Sequence, residues 1–344
     1  MRIIVSLLGI SSIILLGTLY IRTTSKKTDY YEQVIAHEDR LKIELKESLR
    51  KAYSSDESFF ITTVVTEQFI DKQIAKLELL SNDADKENLG NIMEDIRGRY
   101  SLKTSINGFF DPDLINEDRM DYGARLQETV SLEDLSVVEK QFKKIKQEGD
   151  AFHNRIELAI KMSKNLIQVR EKDGNVLMDV PSISQLPELP TGCEITAITM
   201  MLQYKGVDKG AVQLANEMAR HASDPDLGYV GNPFTKSGWT VHPQGVLELI
   251  KTNAGNAQNL TGIALEELEN KLAQETPVVA WMTMHGFTVH AITLIGFDSE
   301  YIFYNDPWTG GGNLKMTREA FMKNWMLQDY RAVSIRFFYE QELR

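Results

Sequence analysis

Hydrophobic positions along the chain fall into three regimes. From Ile3 to Ile21 the run IIVSLLGISSIILLGTLYI carries no charge, and its 19 residues would span about 28 Å as a helix, the depth of a bilayer core. No small-residue cleavage site follows Gly17 and no cysteine lies nearby, so the run predicts an uncleaved membrane anchor over 1–27. From Thr28 to Lys172 apolar residues recur among mixed charges with Pro112 as the only proline, a composition that predicts an all-helical stalk or bundle over 28–173. Within it, Leu135, Val138, Phe142, Ile145, Gly149, Phe152, Ile156, Ala159, Ser163 and Leu166 alternate steps of three and four. That is a heptad seam, and it predicts one long helix that lays a stripe on another helix or self-associates. The series Tyr31, Val34, Leu41, Leu45, Ala52 and Phe60, Val64, Ile70, Ile74, Leu77 offer partners, and INGFFDPDLINED over 106–118 reads as a loop.

The third regime begins at Asp173-Gly174, where Pro181, Pro187 and Pro190 break helix and NVLMDV reads as a short strand. Helical periodicity covers 194–204, 209–220, 242–253 and 265–274. Strand patterns follow in PVVAWMTM from Pro277, TVHAITLIGFD from Thr288, EYIFYND from Glu300 and AVSIRFFY near the end, with FDSEY as a hairpin turn. Helices grouped ahead of antiparallel strands predict an α+β domain over 174–344.

Charge then removes one class of partner. With 49 acidic against 38 basic residues the formal net charge is -11, the wrong sign for a phosphate backbone, so no nucleic acid is expected. Flanking charge also bears on topology: Arg22, Lys26 and Lys27 follow the apolar run and only Arg2 precedes it, which taken strictly places the remainder in the cytoplasm. Long C-terminal domains translocate despite such small margins, and the expectation adopted is an outward-facing domain at the cell membrane.

The single cysteine changes the picture most. One cysteine excludes an internal disulfide, and no Cys/His cluster has zinc-site spacing, so neither a metal nor a cofactor is expected. Cys193 follows Gly192 and opens the helix EITAITMMLQY, where the positive end of the helix dipole favours thiolate. A thiolate needs a base that is also a cationic partner, and that base needs an orienting acceptor. His290 in one strand and Asp306 in the next lie nearly equidistant from the turn at Ser299, with Asn305 the rival orienter and His285 the rival base. The backbone N–H of Cys193 and the side chain of Gln185 are candidate donors to an oxyanion. His221 and His242 read as surface or capping residues, TGGGN over 309–313 as a turn beside the site, and Trp239 and Trp308 as walls of a cleft.

VPSISQLPELPTGCEITAITMMLQYKG, GNPFTKSGWTVHPQGV, HAITLIGFD and YNDPWTGG together resemble the papain-like cysteine peptidases related to the bacteriocin-leader (double-glycine) peptidases, in their stand-alone bacterial surface branch. The resemblance spans about 176–336 and implies a papain-like fold, with Gln185 as oxyanion donor, Cys193 as nucleophile, His290 as base and Asp306 as orienter. It implies a peptide or protein substrate and work at the cell surface. The transporter and ATP-binding parts that accompany many leader peptidases are missing from the sequence, so a bacteriocin leader is not carried over as the substrate. Transpeptidase or amidase chemistry at the same site, and a catalytically idle binding module on an assembly stalk, are the competing expectations.

Overall fold

The computed structural model of the protein describes residues 32–55, 59–81, 84–121, 123–145, 150–171 and 174–335. The apolar run Ile3–Ile21 lies outside the described residues, and among those described no helix is long and apolar enough to cross a membrane. The chain divides into two compact units after Tyr100.

The first unit holds α1 (32–50), α2 (Glu67–Glu78) and most of α3 (Ala84–Asn107). Leu45, Leu49 and Ala52 meet Ile61, Ile70, Leu89 and Ile96 in one buried cluster. Leu41, Leu45, Ala52, Phe60, Ile70, Ile74 and Leu77 of the two apolar series therefore supply a core here, while Val34 and Val64 stay exposed and Tyr31 lies outside the described residues. Arg99 is fully buried against Asp95, whose Oδ2 also accepts the Tyr53 hydroxyl at 2.6 Å, so this buried cation is paired.

The second unit opens with two small antiparallel ladders, β1 (Phe110–Asp111) with β4 (Arg125–Leu126) and β2 (Ile115–Asn116) with β3 (Arg119–Met120). They correct the reading of 28–173 as all helix. The buried Asn107 amide stands in for a ladder partner, donating to Ile115 O at 2.9 Å and accepting Ile115 N–H at 2.8 Å. The heptad seam is also not one helix. It is divided between α4 (Leu132–Phe142), closed at Lys143, and α5 (Ala151–Arg170), which restarts with Asp150 accepting the His153 N–H. The two helices pack on each other, with Phe142 against His153 at 4.3 Å between ring centroids. Seam positions read as an association stripe, such as Leu135, Val138 and Ile156, are thus buried within one chain.

The second compact unit also takes in α5. α5 also buries Leu158, Met162 and Val169 outside the seam, and it packs on α9 (Leu265–Ala273), where Asn165 donates to Ala273 O at 2.8 Å. A helix with apolar positions beyond a single stripe has more than one face to cover, which draws 101–171 into the same unit as the rest.

The remaining elements are β5 (Val176–Leu177), α6 (Cys193–Tyr204), α7 (Ala211–Glu217), the parallel pair β6 (Arg220–His221) and β7 (Tyr229–Val230), and α8 (Pro243–Ala254). After them come β8 (Gln258–Asn259), α9, β9 (Val278–Met282), β10 (His290–Phe297), β11 (Tyr301–Asp306), β12 (Gly311–Thr317), α10 (Arg318–Met326) and β13 (Ala332–Ser334). The antiparallel sheet runs β12-β11-β10-β9-β13-β8, with β5 added to β10. Every residue of β9 and β10 is buried, and α6 packs across both. Gly296 makes room for β5, since a Cβ there would stand 1.9 Å from Val176 O. Thr293 Oγ1 donates to Ala197 O at 2.9 Å and fixes α6 along β10, which brings Cys193 and His290, the first residues of their elements, to the same end of the fold.

Candidate active site

Cys193 begins α6 because the chain before it is tied down. Gly192 N–H reaches Leu189 O at 2.9 Å, the Thr191 hydroxyl donates to Thr235 O, and Tyr229 donates its hydroxyl to Thr191 O at 2.6 Å. Two glycines let these strands of chain approach: a Cβ on Gly192 would meet Leu189 Cβ at 2.8 Å, and one on Gly238 would stand 2.2 Å from Thr191 Oγ1. The turn is therefore rigid, and its last residue presents a thiol.

That thiol does not rest as the helix-start argument expects. Cys193 is 8% exposed, and its Sγ donates to Glu194 Oε2 at 3.2 Å. Glu194 is fully buried and its other oxygen accepts the Thr240 hydroxyl at 2.5 Å. Burial pushes the Cys193 thiol well above its usual range, and the Glu194 carboxylate pushes it further; the Ala291 and Glu194 N–H groups act in the opposite direction and lose. Burial likewise raises the Glu194 carboxyl. Desolvation plus a neighbouring carboxylate outweigh the helix end, so the resting sulfur is a thiol. The Ala291 N–H beside it marks how close the sulfur lies to the start of β10.

The strand side is built differently. β10 and β11 pair with Thr293 opposite Asn305 and Leu294 opposite Tyr304, and a bulge between Leu294 and Gly296 takes up one residue of β10. Extending that register sets Ile292 opposite Asp306 and places His290 on its diagonal, within imidazole reach. His290 Nε2 meets Asp306 Oδ1 at 2.8 Å with both groups buried. Asp306 Oδ1 also accepts Trp308 N–H at 3.0 Å, while Oδ2 accepts from His285 Nε2 at 2.7 Å and from the Thr309 hydroxyl at 3.0 Å. Burial alone would raise this carboxyl, but His290, His285 and the Trp308 N–H hold it down to about 2. It is ionised throughout the neutral range. Asn305 faces away, its amide tied to Val180 O at 2.8 Å and to Asn313 N–H at 2.9 Å, which sets it apart as a structural residue.

Gln185 is buried at the same end. Its N–H bonds Pro307 O at 2.8 Å, joining it to the segment just after Asp306, and its side-chain Nε2 donates to Leu189 O at 3.0 Å. Its Oε1 is buried without a hydrogen-bond partner among the described residues. One amide hydrogen is committed to Leu189 and the second is left for a ligand.

The surroundings complete the picture. Trp308 stacks edge-on to Phe287 at 4.9 Å and Trp239 is 56% exposed, while His221 accepts the Asp224 N–H and His242 starts α8 beside Asp226. TGGGN contributes the Thr309 hydroxyl and then opens edge strand β12. Possible ligand atoms of His285, His290 and Asp306 lie within 4.8 Å of one another, and both imidazoles hydrogen-bond the carboxylate. The residues sequence reasoning passed over are Glu194 and Thr240. Glu194 falls in a helix that is otherwise apolar, and its buried charge type was the available signal.

A buried Cys at a helix start, with the Ala291 N–H beside its sulfur, and a His–Asp pair carried on antiparallel strands fit a papain-like fold. The chain belongs to the Peptidase_C39 like family, whose pattern matches residues 177–333. It is 30% identical over 188 residues to the uncharacterized protein YvpB of Bacillus subtilis (strain 168), covering 46% of this chain and 75% of that protein. A crystal structure from Bacillus anthracis, described as a C39-like peptidase, is also 30% identical, with a TM-score of 0.46 over 49% of this chain and 100% of that one.

Proposed function

We propose that the protein is an active cysteine peptidase that cleaves polypeptides through a Cys193 acyl-enzyme. The observation that carries this reading is the buried, fully oriented His290–Asp306 pair. With Nε2 donating to Asp306, Nδ1 of His290 is the nitrogen left to take a proton. In the reaction Nδ1 accepts the thiol proton and the sulfur attacks the scissile carbonyl carbon. The oxyanion that forms is met by the Cys193 N–H, at the first turn of α6 where helices leave N–H groups unpaired, and by the second Gln185 amide hydrogen. Collapse breaks the C–N bond, His290 returns the proton to the leaving amine, and a thioester remains. Water, deprotonated by His290, then releases the acid and restores the thiol.

One observation favours the idle-module reading, namely the thiol held by a buried carboxylate. The His–Asp pair outweighs it, because a binding surface has no use for a buried carboxylate with four donors. Incubation of the full chain with a peptidyl electrophile and with an unfolded protein substrate separates the two. The expected result is a covalent adduct on Cys193 and cleavage that falls by at least about 10⁴-fold in Cys193→Ala. Absence of both adduct and cleavage in wild type leaves the idle module.

The place of action proposed is the bacterial cell surface, with 3–21 as tether; the support is the uncharged length of that run. Protease added to intact protoplasts should then digest the domain, and protection until lysis would put it inside.

A further inference from the structure

Two imidazoles approach Asp306, and the chemistry above uses only one. We propose that His285 is a positioning residue: from the solvent side it saturates Asp306 Oδ2, and so holds the carboxylate, and through it His290, in the orientation and tautomer that present Nδ1 to Cys193. Its consequence for turnover rests on the peptidase reading; its effect on His290 rests on geometry alone.

An ionised carboxylate only accepts, so both histidines must donate to it from Nε2, His285 at 2.7 Å to Oδ2 and His290 at 2.8 Å to Oδ1. Without His285, Oδ2 keeps a single partner, the Thr309 hydroxyl, and gains a path to water. The two rings meet edge to face, centroids 5.5 Å apart at 72°, and the His285 side chain is 29% exposed against 2% for His290. His285 is thus the outer cover of the pair.

The backbone supports this assignment. His285 has φ +57 and Gly286 φ +81, so a residue with a Cβ is held in the left-handed region beside a glycine that could have taken the strain. The loop that holds it is clasped: Thr283 donates to Thr288 O at 3.0 Å, Gln328 bridges both of those threonines, and Phe287 N–H closes on Met284 O. Such a loop aims one side chain, and what it aims at is Asp306.

The test uses the full chain with His285→Asn, since asparagine tolerates the left-handed backbone but is too short to reach the carboxylate, and with His285→Gln, whose amide restores the donor. Imidazole ¹⁵N spectra report the His290 tautomer and steady-state cleavage reports kcat and KM separately. The expected result is a His290 that leaves the single Nε2–H tautomer in the Asn variant, with kcat down about tenfold to a hundredfold and KM within about twofold, well short of the ~10⁴-fold cost of losing the orienting carboxylate itself. The Gln variant should recover both readouts. A His290 tautomer that is unchanged in His285→Asn overturns the proposal, as does failure of His285→Gln to restore it. A tautomer shift and rescue in a protein that cleaves nothing would uphold the positioning role and sink the peptidase reading instead.

Discussion

The two halves of the site, carried on a strand pair and on a helix, are prepared to opposite degrees. At the β10/β11 end Asp306 has four donors, is ionised well below neutrality and fixes His290 before any substrate arrives. At the α6 end Cys193 is a buried thiol whose proton points at Glu194. The base is preorganised and the nucleophile is restrained. On the proposed peptidase reading, such a division would keep the sulfur less reactive toward oxidants and stray electrophiles until His290 takes its proton.

The comparison is broken hardest from the strand side. Asp306→Asn keeps the shape but removes the charge that both imidazoles donate to, so His290 loses its preferred tautomer; kcat should fall by about 10⁴ with little change in melting temperature. Asn305→Ala, one residue away, should do the reverse, sparing the chemistry and lowering stability by about 1–3 kcal/mol through the unpaired Val180 and Asn313 backbone groups. If the neighbouring substitution proves the more damaging to kcat, Asp306 is not the orienter.

Gln185 tests the oxyanion end. Its Nε2 commits one hydrogen to Leu189 O, which leaves the second amide hydrogen as the candidate oxyanion donor; the unpartnered Oε1 is an acceptor and has no part in that role. Gln185→Ala should lower kcat by about 10²–10³, with KM nearly unchanged. A change confined to KM would make it a substrate-binding residue rather than an oxyanion donor.

These residues divide by how local their signals are. His290 near Asp306 was legible because strand period and a short hairpin bring residues equidistant from a turn together, and the bulge at Ile295 shifted that register by only one place. The helix start at Cys193 was legible from Pro190 and Gly192. The thiol's surroundings were not, because they include a carboxylate hidden in an apolar helix and held by Thr240, 46 residues away in sequence. The role of His285 was masked by the glycine beside it, which signals a turn but not where the turn aims its side chain. β12 and α10 were missed for a plainer reason: GGNLKMT is a half-buried edge strand whose glycines resemble a loop. The heptad seam misled because period alone counts residues at one stripe and is blind to the capping Asp150 that restarts the helix.

The smallest effect sharpens the comparison from the helix side. Burial raises both groups; the Glu194 carboxylate raises the thiol further, whereas the thiol's hydrogen bond favours the ionised carboxylate. Glu194→Gln keeps the Thr240 contact in shape while removing the charge. A negative neighbour opposes thiolate, so its loss must lower the thiol pKa, and the alkylation of Cys193 by iodoacetamide should shift toward acid, with about a tenfold faster rate at a fixed pH below the midpoint. Stability carries its own sign. Because the folded carboxyl is raised above its unfolded value, Glu194 favours folding most when protonated and loses that contribution as pH rises through its folded value, so the neutral glutamine should leave the melting temperature unchanged in acid and raise it slightly at alkaline pH. An alkylation profile that moves toward alkali, or not at all, would show that Glu194 does not restrain the sulfur, and the contrast between a primed base and a held nucleophile would go with it.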